Sequence, residues 1–117
     1  MSKKIIVVGG GAAGMLAAYF AAEAGNKVAL LEKNEKLGKK IYITGKGRCN
    51  LTNACDVEDL FLNVKSNSKF LYSAFYGFDN SQVIAFFESH GMPVKVERGN
   101  RVFPVSDKSS DVIFALQ

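Results

Sequence analysis

The chain has 117 residues, 48% of them apolar, with a net charge of +4. That length holds at most one domain with a packed core, and no apolar run approaches the roughly 20 residues that cross a bilayer. The two cysteines, Cys49 and Cys55, exclude a disulfide framework, and the start Met-Ser-Lys-Lys lacks the apolar stretch and cleavage site of a leader, so the cytoplasm is the expected location.

The first element is the unbroken apolar run at residues 5–8, expected of a parallel strand covered on both faces. Gly9, Gly11 and Gly14 follow in GxGxxG spacing. In that pattern the first glycine makes a tight turn, the second lets backbone approach a pyrophosphate, and the third lets helix and strand pack closely. A helix beginning there aims free N–H groups and its positive dipole end at phosphates. Ala12, Ala13, Ala17, Ala18, Ala21, Ala22 and Ala24 keep it slim, Gly25 ends it, and residues 28–31 read as the second strand. Glu32 comes 18 positions after Gly14, where a carboxylate accepts hydrogen bonds from a ribose. Together these parts make a dinucleotide-binding βαβ unit. A bare glycine-rich turn in an ordinary α/β domain, with Glu32 a solvated charge, accounts for less of the pattern.

After Glu32 the text departs from a plain doubly wound repeat. Six of the fifteen basic residues lie in the next stretch: Lys33, Lys36, Lys39, Lys40, Lys46 and Arg48. With Gly38, Gly45 and Gly47 and one short apolar piece at 41–43, it reads as a long ordered loop laid along a ligand. No glycine stands five residues before Gly45, so a GxxxxGK[ST] phosphate loop is excluded. The basic block suits a pyrophosphate better than nucleic acid, and a solvated loop ranks between the two. Residues 56–61 open a helix with acids in its first turn. Residues 70–78 (FLYSAFYGF) are expected to be a helical core segment rather than a flavin wall. Asp79 and Gln82 form a capping box for a helix through Phe87 to His90, which Gly91 stops. Residues 93–96 and 102–105 read as strands joined by Arg98-Gly99-Asn100-Arg101, and 112–116 as a helix. With only two clear parallel strands, the chain is expected to be an N-terminal piece of a longer protein.

Residues 44–53 read TGKGRCNLTN, which resembles the SGGGRCNxTN signature of bacterial NAD(P)/FAD-dependent oxidoreductases, including their aminoacetone-oxidase-like branch. Residues 99–112 (GNRVFPVSDKSSDV) are similar to that family's GRVFPxSxKAxxV, and GGGAAG at 9–14 and LGKK at 37–40 fit it too. Lys46 stands where the family usually has glycine, Lys39 where arginine is frequent, and Ser109 where alanine is usual. The resemblance implies an α/β fold, the N-terminal part of a two-dinucleotide-binding, Rossmann-like architecture with a helical and hairpin excursion. Residues 1–117 would then be part of an FAD-binding domain left incomplete at its C-terminus, inactive alone.

By the same resemblance, Gly9, Gly11, Ala12, Ala13 and Gly14 would surround the FAD pyrophosphate and Glu32 would hold the adenosine ribose. Lys33 would lie by the adenine or ribose, Lys40 and Thr44 by the phosphates, and Gly45, Gly47, Arg48, Cys49 and Asn50 along the path to the flavin. Either NAD(P)H, as co-substrate, or oxygen would be the redox partner, with a small-molecule substrate and neither nucleic acid nor membrane as partner. Two other classes stay open: an NAD(P)-binding dehydrogenase domain, which GxGxxG with Glu32 permits, and a non-enzymatic module. The C-x5-C spacing of Cys49 and Cys55 argues against thiol chemistry, and His90, the only histidine, has no second ligand-type residue near it in the sequence, which argues against a metal site or a general base.

Overall fold

A computed structural model describes residues 2–117. In chain order the elements are β1 (Lys4–Val8), α1 (Ala12–Glu23), β2 (Lys27–Leu31), α2 (Lys39–Ile43), a 3-10 turn (Thr44–Gly47) and β3 (Thr52–Asn53). Then come α3 (Val57–Leu62), a second 3-10 turn (Ser68–Leu71), α4 (Tyr72–Gly77) and α5 (Asn80–Ser89). They are followed by β4 (Val94–Glu97), a third 3-10 turn (Arg98–Asn100), β5 (Arg101–Pro104) and α6 (Ser109–Leu116). The chain divides into two compact units. One comprises the residues up to Cys49 with Lys108–Gln117, and the other Asn50–Asp107.

The first unit is a Rossmann-like βαβ. β1 and β2 pair in parallel, with Ile5 opposite Val28 and Val8 opposite Leu31. The crossover needs a slim helix and a positive-φ exit, and α1 supplies both: it is alanine-rich, and Gly25 leaves it at φ 92°. Ile5, Val7, Val28 and Leu30 are half-buried on one face of the sheet, and Met15 is buried on α1. The opposite face departs from the expectation of a strand covered on both sides. There Ile6, Val8 and Leu31 are 61%, 82% and 54% exposed. A single crossover helix lies on one side of a two-stranded sheet, so among the described residues the other face has no layer over it.

The segment after Glu32 differs from a plain ligand-lining loop. Lys39–Ile43 forms the short helix α2, followed by a kinked 3-10 turn in which Gly45 and Lys46 have φ of 56° and 55°. Ile41 is buried, which gives α2 a reason to be helical, and α6 packs beside it with Val112 fully buried. The Ser109 hydroxyl donates to the Tyr42 carbonyl at 2.7 Å, tying the start of α6 to α2.

In the second unit β4 and β5 form the expected hairpin, and the two-residue β3 adds to its β5 edge, giving the antiparallel order β3-β5-β4. Its core holds Phe87, Met92, Val102, Phe103 and Pro104. α5 carries the expected capping box between Asp79 and Gln82, and Gly91 follows it at φ 83°. The Nδ2 of buried Asn80 donates to the carbonyls of Asn53 and Cys55 at 2.6 Å each, which ties α5 to the β3 segment. The aromatic run at 70–78 is helical as expected but is not core: Phe70, Tyr72 and Tyr76 are 86%, 62% and 44% exposed. Phe61, Tyr72, Phe75 and Tyr76 instead cluster among themselves, with Tyr72 and Tyr76 centroids 4.7 Å apart. Rings sharing faces in this way satisfy one another without being enclosed.

Candidate dinucleotide-binding site

The site is built where β1 turns into α1. Gly9 takes φ 101°, a conformation that disfavours any side chain, and its N–H donates to the Leu31 carbonyl at 2.7 Å, extending the β1–β2 ladder into the turn. Gly14 lies against that turn: a Cβ there would overlap the Gly9 carbonyl oxygen and stand 2.9 Å from its carbon. Gly11 is the opposite case. It is the N-cap of α1, no side chain caps the helix, and a Cβ built on it meets nothing within 4 Å. The first-turn N–H groups of Ala12, Ala13 and Gly14 have no intrahelical partner and face a surface that backbone alone defines. Such a terminus, with its positive dipole end, accepts an anion.

Glu32 follows directly at the end of β2. One carboxylate oxygen accepts the Gly10 N–H at 2.8 Å and the other the Asn34 N–H at 2.7 Å. These two N–H groups, Asn34 first, hold the carboxyl below its ordinary range, so it stays ionised at neutral pH. Each oxygen retains acceptor capacity for a hydroxyl. The charge balance around the site favours anions as well. The first unit carries ten of the fifteen basic residues and four of the eleven acidic ones, a net of +6.

Of the residues expected to bind, the structure brings together Gly9, Gly11, Ala12, Ala13, Gly14 and Glu32. Lys33 is exposed beside Glu32, on the wall of an open cleft of about 1030 Å³ that Leu37, Tyr42 and Phe114 also line. Lys40 is exposed on α2. The Thr44 hydroxyl donates to the Ile41 carbonyl at 2.7 Å, closing the end of α2. Gly45 and Gly47, at φ 56° and 85°, are exposed, Arg48 is half-buried, and Cys49 is a buried free thiol at φ 58°. Asn50 falls in the second unit, where its Nδ2 donates to the carbonyls of Thr52 and Val102 at 3.0 and 3.1 Å.

Four contributors went unread in the glycine pattern: Gly10, Asn34, Leu37 and Gly38. Gly10 fills a position that GxGxxG leaves open, yet it is buried against Glu32 and Leu37. Gly38 donates its N–H to the Gly10 carbonyl at 2.8 Å. The triple glycine at 9–11 and the LGKK at 37–40 were the available signals, but periodicity does not show that two such segments meet.

The family model described as HI0933-like protein Rossmann domain matches residues 3–117. The chain is 36% identical over 116 residues to the 3-dehydro-bile acid delta(4,6)-reductase of Clostridium scindens, covering 97% of this chain and 28% of that protein. It is 37% identical over 87 residues to the ribosomal RNA dihydrouridine synthase of Escherichia coli, covering 74% and 21%. A shorter match of 43 residues, 59% identical, links it to the cinnamate reductase of Clostridium sporogenes, covering 37% and 6%. The chain thus spans about a quarter of the length of the first two relatives.

Proposed function

The chain belongs to the HI0933-like Rossmann domain family, and we propose that its first unit holds the ADP moiety and pyrophosphate of FAD in a flavoprotein oxidoreductase. The observation that carries this reading is Gly11: the helix terminus is bare of side chains and open, at the point where a diphosphate meets the first-turn N–H groups. Those groups and the helix dipole bind the diphosphate, while the ionised Glu32 accepts hydrogen bonds from the adenosine ribose and disfavours a 2′-phosphate there. Lys33 borders the ribose, and Lys40 and Thr44 stand towards the phosphates. Gly45, Gly47, Arg48, Cys49 and Asn50 lead towards the flavin end. When bound, FAD supplies the hydride and electron transfer, and the chain supplies position and charge.

Relatives named as reductases of a bile acid and of cinnamate support an oxidoreductase acting on a small molecule, and one named NADH oxidase supports NAD(P)H as co-substrate. The match to a ribosomal RNA dihydrouridine synthase, together with the basic first unit, favours a second reading in which the same site serves reduction of an RNA base. An NAD(P)-binding dehydrogenase domain ranks lower, because the glycine- and lysine-rich segment at 33–50 has no part in that architecture. The 117-residue chain alone is proposed to be inactive.

The test is Gly11→Val in the longer protein of which this chain is proposed to be the N-terminal piece, with the absorbance spectrum recorded after incubation with FAD and desalting. The variant should lose the flavin bands that the unsubstituted protein retains, whereas the 117-residue chain alone should bind FAD weakly or not at all. Stability should fall by no more than the loss of a glycine N-cap, about 1 kcal/mol. Undiminished flavin in the variant overturns the assignment.

A further inference from the structure

The fingerprint explains glycine at 9, 11 and 14 but not at 10. Gly10 has no left-handed φ, so its backbone conformation does not demand glycine. What opposes a side chain is crowding by the end of the Leu37 side chain. A Cβ there would overlap Leu37 Cδ2 and stand 3.3 Å from both Glu32 Cβ and Oε1. Both polar backbone groups of Gly10 are engaged as well: its N–H donates to Glu32 at 2.8 Å, and its carbonyl accepts the Gly38 N–H at 2.8 Å. Gly38 is itself confined, with φ 68° and a Cβ position only 2.7 Å from Ile113 Cγ1. The turn between β1 and α1 is therefore gripped from behind by Leu37 and Gly38, and Gly38 rests in turn on Ile113 of α6.

We propose that Leu37 and Gly38 are positioning residues that clamp Gly10 and so hold the Gly9–Gly11 turn in the shape that receives a diphosphate. The clamp, not the ligand, is what disfavours a side chain at position 10. This rests on the FAD reading for its binding consequence but not for its geometry. The turn would otherwise be a three-glycine segment, the most flexible backbone available, and its ordering would count against binding.

The experiment is a fluorescence titration with FAD on the full chain and on Gly10→Ala, Leu37→Ala, the double variant and Leu37→Met. Gly10→Ala should bind about tenfold more weakly, and Leu37→Ala several-fold more weakly at temperatures far below its melting point. The double variant should bind more tightly than Gly10→Ala, because the new methyl occupies the space the isobutyl group leaves. Leu37→Met, which refills that space, should bind within about twofold of the original. Gly10→Ala binding within about twofold of the original, or a double variant no tighter than Gly10→Ala, overturns the clamp. If the unsubstituted chain takes up no FAD, as an incomplete FAD-binding domain would, the cofactor reading is tested on the longer protein by Gly11→Val, and amide hydrogen exchange at Gly10 and Gly38 decides the clamp. Protection lost in Gly10→Ala and regained in the double variant supports it; protection equal in all variants overturns it.

Discussion

Replacing Gly14 by alanine tests whether the third glycine serves packing and the second serves the ligand. The added Cβ of Gly14→Ala would overlap the Gly9 carbonyl oxygen, with the carbonyl carbon at 2.9 Å and Val7 Cγ1 at 3.6 Å. The two nearest obstacles are backbone, so no rotamer change relieves the overlap; α1 must move off β1 or the Gly9 turn must deform. Overpacking a tight contact costs about 1–3 kcal/mol, and an overlap with backbone belongs at the upper end, about 3 kcal/mol. For a chain of this size, each kcal/mol shifts the melting temperature by roughly 3–6 °C, so Gly14→Ala should melt roughly 9–18 °C lower. Gly11→Ala is the matched control. Its Cβ meets nothing within 4 Å, so it should lose only the N-cap preference for glycine, about 0.5–1 kcal/mol. Thermal unfolding followed by far-UV circular dichroism reads both variants. Melting temperatures within about 3 °C of each other would refute the reasoning.

Two further outcomes follow from the same unit. Glu32 has its folded pKa lowered from 4.5 by the Asn34 and Gly10 N–H groups, so its contribution to stability is fully present above pH 4.5 and is lost as pH falls through the depressed folded value. The difference in melting temperature between the original chain and Glu32→Gln should therefore shrink as pH falls from about 6 to about 3, and a difference constant across that range would count against the bonds. Lys46 sits exposed at φ 55°, where a side chain costs about 1–2 kcal/mol and glycine costs about 0.5–1 kcal/mol through its freer unfolded state. Lys46→Gly should raise the unfolding free energy measured in urea by a net of about 0.5–1 kcal/mol and the midpoint with it, and a lowered midpoint would show that the lysine makes a compensating contact.

Local chemistry made much of this molecule legible from residues alone. The strand–GxGxxG–helix–strand–acid order, the capping box at Asp79 and Gln82, and the hairpin at 94–104 each depend on neighbours a few positions apart, and each formed where the residues placed it. The helix at Lys39–Ile43 was less visible, because five residues bury one apolar side chain, Ile41, and present no period. The aromatic run at 70–78 misled for a related reason: hydrophobicity reports a tendency to be covered, not whether a cover is present.

What the sequence alone determined is the candidate site: three glycines and an acid at the spacing of a dinucleotide-binding βαβ turn. What only the tertiary structure decided is why each glycine is there. Gly9 is favoured by its backbone angle, Gly14 is required by the Gly9 carbonyl behind it, and Gly10 is crowded by the end of the Leu37 side chain, while Gly11 faces open space. The Gly10 distinction rests on contacts with segments more than twenty positions away, which no local pattern encodes, and the Gly11 one on empty volume, which a sequence does not contain.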